Sequence, residues 1–136
     1  MIAETSYCYT SEDGDGCANS LVGTDDIVDG YPATVQGQAD MVRDVFAAAN
    51  EAGATGVFYW EGTWIPVGSA TSDNSAIWEK YGSGWASSYA GDYDPDDAGK
   101  YYGGCSWDNQ AMFDFNGHPL ESLKVFKYLK YGATKK

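Results

Sequence analysis

The segment Thr55-Gly56-Val57-Phe58-Tyr59-Trp60-Glu61 decides the fold of this chain. It is β-branched and aromatic and ends at a carboxylate, the pattern of a buried strand emerging from a sheet. A helical pattern precedes it by a turn-length gap: Gln38 to Ala52 places Val42, Val45, Phe46 and Ala49 on one face, with Gly53 as the stop. Further back, Met1 to Ala3 is a second short apolar run, ending at Glu4-Thr5-Ser6. Strand, helix, strand is the parallel βαβ unit.

Two parallel strands do not make a sheet that stands alone, because their faces and edges need cover. As the last two units of an eight-unit barrel, they would lack most of a domain of about 250 residues. In such a barrel the loops after the strand C-termini build the active site, and Glu4 and Glu61 both fall on that face. Downstream, residues 61–117 show little periodicity beyond a short turn at Ser75 to Tyr81 and are rich in Gly, Asp, Tyr and Trp. A structureless stretch of that length is functional or signals a wrong assignment. Pro119 suits the first turn of a closing helix, in which Leu120, Leu123, Phe126 and Leu129 recur at about one turn and Gly132 ends the run. The order is β-loop-α-β-long loop-α, an α/β pattern over 1–136, a single partial domain with no repeat or linker.

The net charge of -12 is uneven: residues 1–118 hold 19 acids and 3 bases, whereas 119–136 hold 5 bases and 1 acid. The acidic body repels phosphate backbones and anionic membranes, so no nucleic acid or membrane partner is expected. The terminal lysines read as the solvated, dipole-favoured end of the last helix. No run is long enough for a membrane span, and Met1-Ile2-Ala3 meets Glu4 without the apolar core of a signal peptide. Three cysteines, Cys8, Cys17 and Cys105, leave one unpaired if a disulfide forms, and there is no CxxC pair. His118, the only histidine, adjoins Pro119 and reads as structural. A Ser-His-Asp triad lacks a nucleophile motif, and there is no glycine-rich phosphate loop.

Aromatic residues make up 15% of the chain, and the loops carry Trp60, Trp64, Trp85, Tyr101, Tyr102 and Trp107. Flat rings of this kind suit the apolar face of a sugar, although most aromatics serve packing. The loop Asp13-Gly14-Asp15-Gly16-Cys17-Ala18-Asn19 sets oxygens at i, i+2 and i+6 around glycines, which lets a tight turn converge on a hard cation. It is not an EF-hand, since Ala18 replaces the sixth-position glycine and Thr24 the twelfth-position glutamate.

The strings ETSY from Glu4, EDGDG from Glu12, YPATVQGQAD from Tyr31, GVFYWE from Gly56, WEKYGSGWASSYA from Trp78 and DNQAMFDFNGHPL from Asp108 resemble, in order, the arabinogalactan endo-β-1,4-galactanases of glycoside hydrolase family 53. The resemblance implies the C-terminal part, strand 7 to helix 8 with long loops 7 and 8, of a (β/α)8 TIM barrel. It also implies retaining hydrolysis of the β-1,4-galactan of type I arabinogalactan and pectin, and secretion. Glu4 matches the nucleophile at the end of strand 7. The acid/base glutamate, at the end of strand 4, lies outside this chain, so the N-terminal remainder of the barrel is a required partner and the isolated chain is expected to be inactive. Glu61 follows strand 8 without matching the acid. Thr5, Ser6 and Tyr7 either bond to the nucleophile or sugar, or support the strand end.

By the same resemblance Asp13, Asp15, Asn19 and Asp108 match the ligands of a structural Ca²⁺ held between loops 7 and 8. Cys17 stands where histidine is usual and Cys105 where serine is usual. A disulfide between them, supplementing or replacing the calcium, is therefore a hypothesis that rests on the shared metal. Trp60 matches the ring that floors the site next to the scissile bond. Trp85 and Tyr101 match substrate-binding tryptophans, the second conservatively changed. The competing class is a non-catalytic, calcium-dependent sugar-binding module, which shares the rings and the Asp/Gly loop. Such a module is normally an all-β sandwich and has no use for a carboxylate at Glu4; two helices and parallel-type strands speak for the enzyme. A truncated product that never folds alone is the third reading.

Overall fold

The computed structural model describes residues 1–21, 23–81, 87–96, 98–100 and 102–132. Strand β1 (Ile2–Thr5) is followed by a long polar loop, helix α1 (Val35–Glu51) and strand β2 (Val57–Tyr59). The strands pair in parallel, Ile2 opposite Val57 and Thr5 opposite Tyr59. This is the βαβ unit read from the apolar runs. Three steps along β1 oppose two along β2, so the ladder is irregular across Ala3 and Glu4. Such a bulge re-aims the side chain it carries.

Helix α1 starts three residues before the expected Gln38, because Thr34, in extended conformation, accepts the Gly37 N–H on its hydroxyl at 3.0 Å. It ends before Gly53, which adopts φ 70°. Its buried face carries Met41, Val42 and Ala49. Met41 and Val42 join Tyr7, Cys8, Met112 and Val125 in the core cluster, with Phe46, Tyr59 and Phe126 packed against it. The Phe46–Phe126 and Tyr59–Phe126 pairs meet edge-on, 6.0 and 6.3 Å between centroids.

The expected turn at Ser75–Tyr81 is present as helix α2. The closing helix differs from expectation. Pro119 is not in its first turn but in an antiparallel bridge with Phe113, and the Leu120 N–H donates to Met112 O at 3.0 Å. Leu120 is extended, a 3-10 turn fills Glu121–Lys124, and only then does helix α3 (Val125–Tyr131) begin. The bridge holds the backbone extended for longer than the leucine spacing implies. His118 sits in the preceding turn, exposed, its Nδ1 3.1 Å from Asp114 Oδ2, which fits the structural reading. The sheet has two strands among the described residues, and Met1 and Phe58 are 72% and 60% exposed. That is the uncovered sheet expected of a partial domain.

Candidate functional site

The site is built where the chain leaves β1 and β2 at the same end of the sheet. Pairing continues one residue past β2, with the Trp60 N–H donating to Thr5 O at 2.8 Å. Glu4 therefore lies in the bulge of β1 and is exposed; Trp60, directly after the partner strand, is partly exposed as well. Glu61 comes next and is the sole non-glycine residue with positive φ, 54°, among those described. A left-handed glutamate costs about 1–3 kcal/mol, a strain that concentrates at functional sites. Its carbonyl accepts from Trp64 N at 3.0 Å, closing the turn, while its Oε2 is buried without a hydrogen-bond partner. Burial first, and the Glu4 charge second, push the Glu61 carboxyl up to about 7.

The residues after Glu4 turn inward. Ser6 Oγ donates to Gln110 Oε1 at 2.6 Å, Tyr7 OH donates to Tyr31 O at 2.6 Å, and the Tyr7 N–H donates to Tyr59 OH at 3.1 Å. Ser6 and Tyr7 thus support the strand end rather than face a ligand. The residue that sequence reading missed is Gln38. Fully buried, its Nε2 lies 2.9 Å from Tyr7 O, 3.0 Å from Ala111 O, 3.2 Å from Tyr59 OH and 3.3 Å from Gln110 O, and its Oε1 accepts from Ser122. One amide thus ties the loop after β1, strand β2 and the segment before α3. Asn109, fully buried as well, donates to Thr10 O at 3.1 Å and Leu21 O at 2.9 Å. The only signal for either was an amide, Gln38 near the start of the helical pattern and Asn109 in the turn Asp108-Asn109-Gln110, since a buried amide is retained where it is bonded.

The Asp/Gly loop closes on the second loop. Asp13 Oδ1 accepts from the N–H groups of Asp15 at 3.0 Å and Gly16 at 2.7 Å. Buried Asp15 accepts from Cys17 N at 2.8 Å and Cys105 N at 2.7 Å, and Asp108 Oδ2 accepts from Gly14 N at 3.0 Å. Gly104 permits the approach: a Cβ there would stand 2.0 Å from Cys17 Cβ and 2.8 Å from Asp15 Oδ1. One carboxylate oxygen each of Asp13, Asp15 and Asp108 lie within 4.8 Å of one another. Asp108 Oδ1 and Asn19 Oδ1 are buried without a hydrogen-bond partner. Burial, then the neighbouring Asp15 charge, pushes the Asp108 carboxyl up to about 6. Oxygens that converge with too few donors are the arrangement a hard cation satisfies.

Three of the expected ligands, Asp13, Asp15 and Asp108, thus converge, but the expected disulfide is not formed. Cys8, Cys17 and Cys105 are free thiols. The loops meet, yet Cys17 Sγ faces Ser106 Oγ at 3.8 Å, whereas Cys105 is buried and burial pushes its thiol up to about 12. The thiols take different surroundings, and the one at Cys105 is held in its unreactive protonated form. Of the expected sugar platforms, Trp60 is 39% exposed, whereas Trp85 and Tyr101 lie outside the described residues.

Residues 1–126 match the family model of glycosyl hydrolase family 53. The chain is 58% identical over its whole length to an endo-beta-1,4-galactanase of Bacillus subtilis (strain 168), spanning 32% of that relative. It superposes on the GH53 catalytic domain of Ignisphaera aggregans with a TM-score of 0.67 and 40% identity, over 94% of this chain and 29% of that one. The chain therefore spans about a third of the length of the proteins it matches, and its fold is that of a piece of a TIM barrel.

Proposed function

The chain belongs to glycosyl hydrolase family 53, and from that premise we propose that it is the strand 7 to helix 8 part of a (β/α)8 barrel that hydrolyses β-1,4-galactan, the side chain of type I arabinogalactan and pectin, with retention. In this reading β1 and β2 are strands 7 and 8, α1 is helix 7 and α3 helix 8. The supporting observation is the placement of Glu4, an exposed carboxylate in a strand bulge at the loop-bearing end of a parallel pair whose other strand is followed by an exposed tryptophan, Trp60. An ionised Glu4 attacks the anomeric carbon while a second, protonated carboxyl protonates the departing oxygen; water then hydrolyses the glycosyl-enzyme. That second group belongs to the rest of the barrel, so this chain alone is inactive. Trp60 offers its face to the sugar next to the scissile bond, and the family resemblance assigns sugar binding to Trp85 and Tyr101.

The same reading places a structural Ca²⁺ between the two loops. The buried, unpartnered oxygens of Asp108 and Asn19, beside the carboxylates of Asp13 and Asp15, suit it. The ion would neutralise the clustered acids and clamp the loops that carry the sugar platforms. Secretion, where galactan is met, belongs to this proposal.

The experiment uses the full protein that carries this chain, with β-1,4-galactan as substrate and the anomer of the first product read by NMR. Wild type should release galacto-oligosaccharides of β configuration. Glu4→Ala should lower turnover by at least about 10³-fold, with partial rescue by an added small nucleophile such as azide. An E4A variant with near-normal turnover would remove Glu4 from the mechanism; an α first product would refute retention.

A further inference from the structure

Glu4 sits where the ladder is irregular: Ala3 and Glu4 fall between the Ile2–Val57 and Thr5–Tyr59 registers, three steps against two. A bulged residue takes its place from whatever holds the backbone on either side of it. Before Glu4, the Ile2 N–H donates to Gly56 O at 2.9 Å. After it, the chain of β2 holds the backbone twice. The Trp60 N–H donates to Thr5 O at 2.8 Å, and the Tyr7 N–H donates to the Tyr59 hydroxyl at 3.1 Å.

The Tyr59 hydroxyl is fully used. Its lone pairs accept the Tyr7 N–H and one hydrogen of Gln38 Nε2, the latter at 3.2 Å; its own hydrogen goes to Gln110 O at 2.8 Å, with Tyr7 O sharing it at 3.1 Å. No donor or acceptor is left for a ligand, so this hydroxyl reaches the chemistry only through the backbone that it grips. The ring that carries it is confined as well. It meets Phe126 edge-on, and a Cβ on Gly62 would stand 3.2 Å from Tyr59 Cδ1. Burial pushes the hydroxyl up to about 12, so it keeps its proton throughout the neutral range. A second grip falls on the residue before Tyr7. Ser6 Oγ donates to Gln110 Oε1 at 2.6 Å, and Gln110, 2% exposed, is itself anchored by donating from Nε2 to Ser20 Oγ at 2.7 Å. Tyr7 and Ser6 are therefore pinned by side chains 52 and 104 residues away.

We infer that Tyr59 and Gln110 are positioning residues for Glu4: by fixing Ser6 and Tyr7 they hold the carboxylate at the distance and angle from which it attacks the anomeric carbon. This rests on the reading of Glu4 as the nucleophile. Neither side chain touches the sugar, so loss of either grip slows the attack and leaves binding as it is. A displacement of about 1 Å costs on the order of 10²-fold in rate.

The test is the rate at which a dinitrophenyl 2-deoxy-2-fluoro-β-galactobioside labels Glu4 in the full protein that carries this chain. The Glu4 carboxylate forms an ester bond to the anomeric carbon, and dinitrophenolate departs with the electron pair of the broken bond. So good a leaving group needs no acid, and the released colour reads the attack alone. Wild type should be labelled once per molecule, at Glu4 by peptide mass. Tyr59→Phe leaves Tyr7 O and Gln110 O with the Gln38 amide, at 2.9 and 3.3 Å, and removes the partner of the Tyr7 N–H. It should lower the maximal labelling rate by roughly 10–100-fold, with the half-saturating concentration within about twofold of wild type. Ser6→Ala, which releases the Gln110 grip, should lower the same rate by at least about threefold, and it decides if Y59F does not fold. Val42→Ala opens space in the same core without removing a hydrogen bond; well below its lowered Tm it should be labelled at the wild-type rate. A folded Y59F or S6A labelled as fast as wild type, a slowing that lies wholly in weaker binding, or a V42A slowed as much as Y59F would each overturn the inference. The site of labelling separates the two levels. Wild type labelled at Glu4 with unslowed variants fails only the positioning role, whereas a folded wild type not labelled at Glu4 overturns the nucleophile reading and the inference with it.

Discussion

Replacing Gln38 by leucine tests whether one buried amide holds the site's loops together. Leucine nearly fills the volume, so little cavity forms, and the loss lies in hydrogen bonds. Of the groups around the amide, Gln110 O keeps the Tyr59 hydroxyl at 2.8 Å, and Tyr7 O, at 3.1 Å, only shares that single hydrogen. Ala111 O and the Ser122 hydroxyl have no share in it. Ser122 is left with Met112 Sδ at 3.9 Å, a weak acceptor, and is 1% exposed. Each newly unpaired buried group costs about 1–3 kcal/mol, so Gln38→Leu should destabilise by about 4 kcal/mol. For a barrel of about 250 residues, that lowers Tm by roughly 8–16 °C. Removing one orphan restores part of the loss: adding Ser122→Ala to Q38L should return about 1–3 kcal/mol, although S122A alone is destabilising because it leaves Gln38 Oε1 unpaired. Urea denaturation of the full protein, with unchanged m-values, reads both differences. A Q38L loss under about 1 kcal/mol, or a double variant no more stable than Q38L, would refute the reasoning.

Calcium added to EDTA-stripped protein should raise Tm, by about 2.7 kcal/mol of stability at a hundredfold excess over Kd, and Asp108→Asn or Asp15→Asn should abolish the rise; a wild-type protein indifferent to calcium would remove the ion from the loops. Gly37→Ala should destabilise by about 1–3 kcal/mol, although alanine favours helices, because its Cβ would stand 1.9 Å from Pro32 O, a backbone atom that cannot swing aside. Thermal unfolding reads the sign, and a stabilised G37A would show that the turn before α1 relaxes freely.

Local pattern carried much of the fold. The apolar runs ending at Glu4 and Glu61, and the helical spacing of Val42, Phe46 and Ala49, were legible because strand and helix periodicities are properties of neighbours along the chain. The cap at Thr34 and the bridge that keeps Pro119 extended shifted the element ends, since caps and bridges are settled by single hydrogen bonds that periodicity does not report. The metal loop was half legible: Asp13, Asp15 and Asn19 share one turn, but their joining to Asp108 came from resemblance.

By itself the sequence determined that this chain is an α/β unit with a carboxylate at the end of each strand, an acidic, aromatic loop surface and the string pattern of a galactanase family. Only the tertiary structure decided which of its polar groups are satisfied. Gly14 to Asp108 and Asp15 to Cys105 are contacts across 94 and 90 residues. Gln38 reaches 72 and 73 residues along the chain to Gln110 and Ala111. Whether a buried oxygen is paired depends on what the fold brings to it, and so Glu61, in sequence merely a second carboxylate, has in the folded chain a left-handed backbone and one buried oxygen without a hydrogen-bond partner among the described residues.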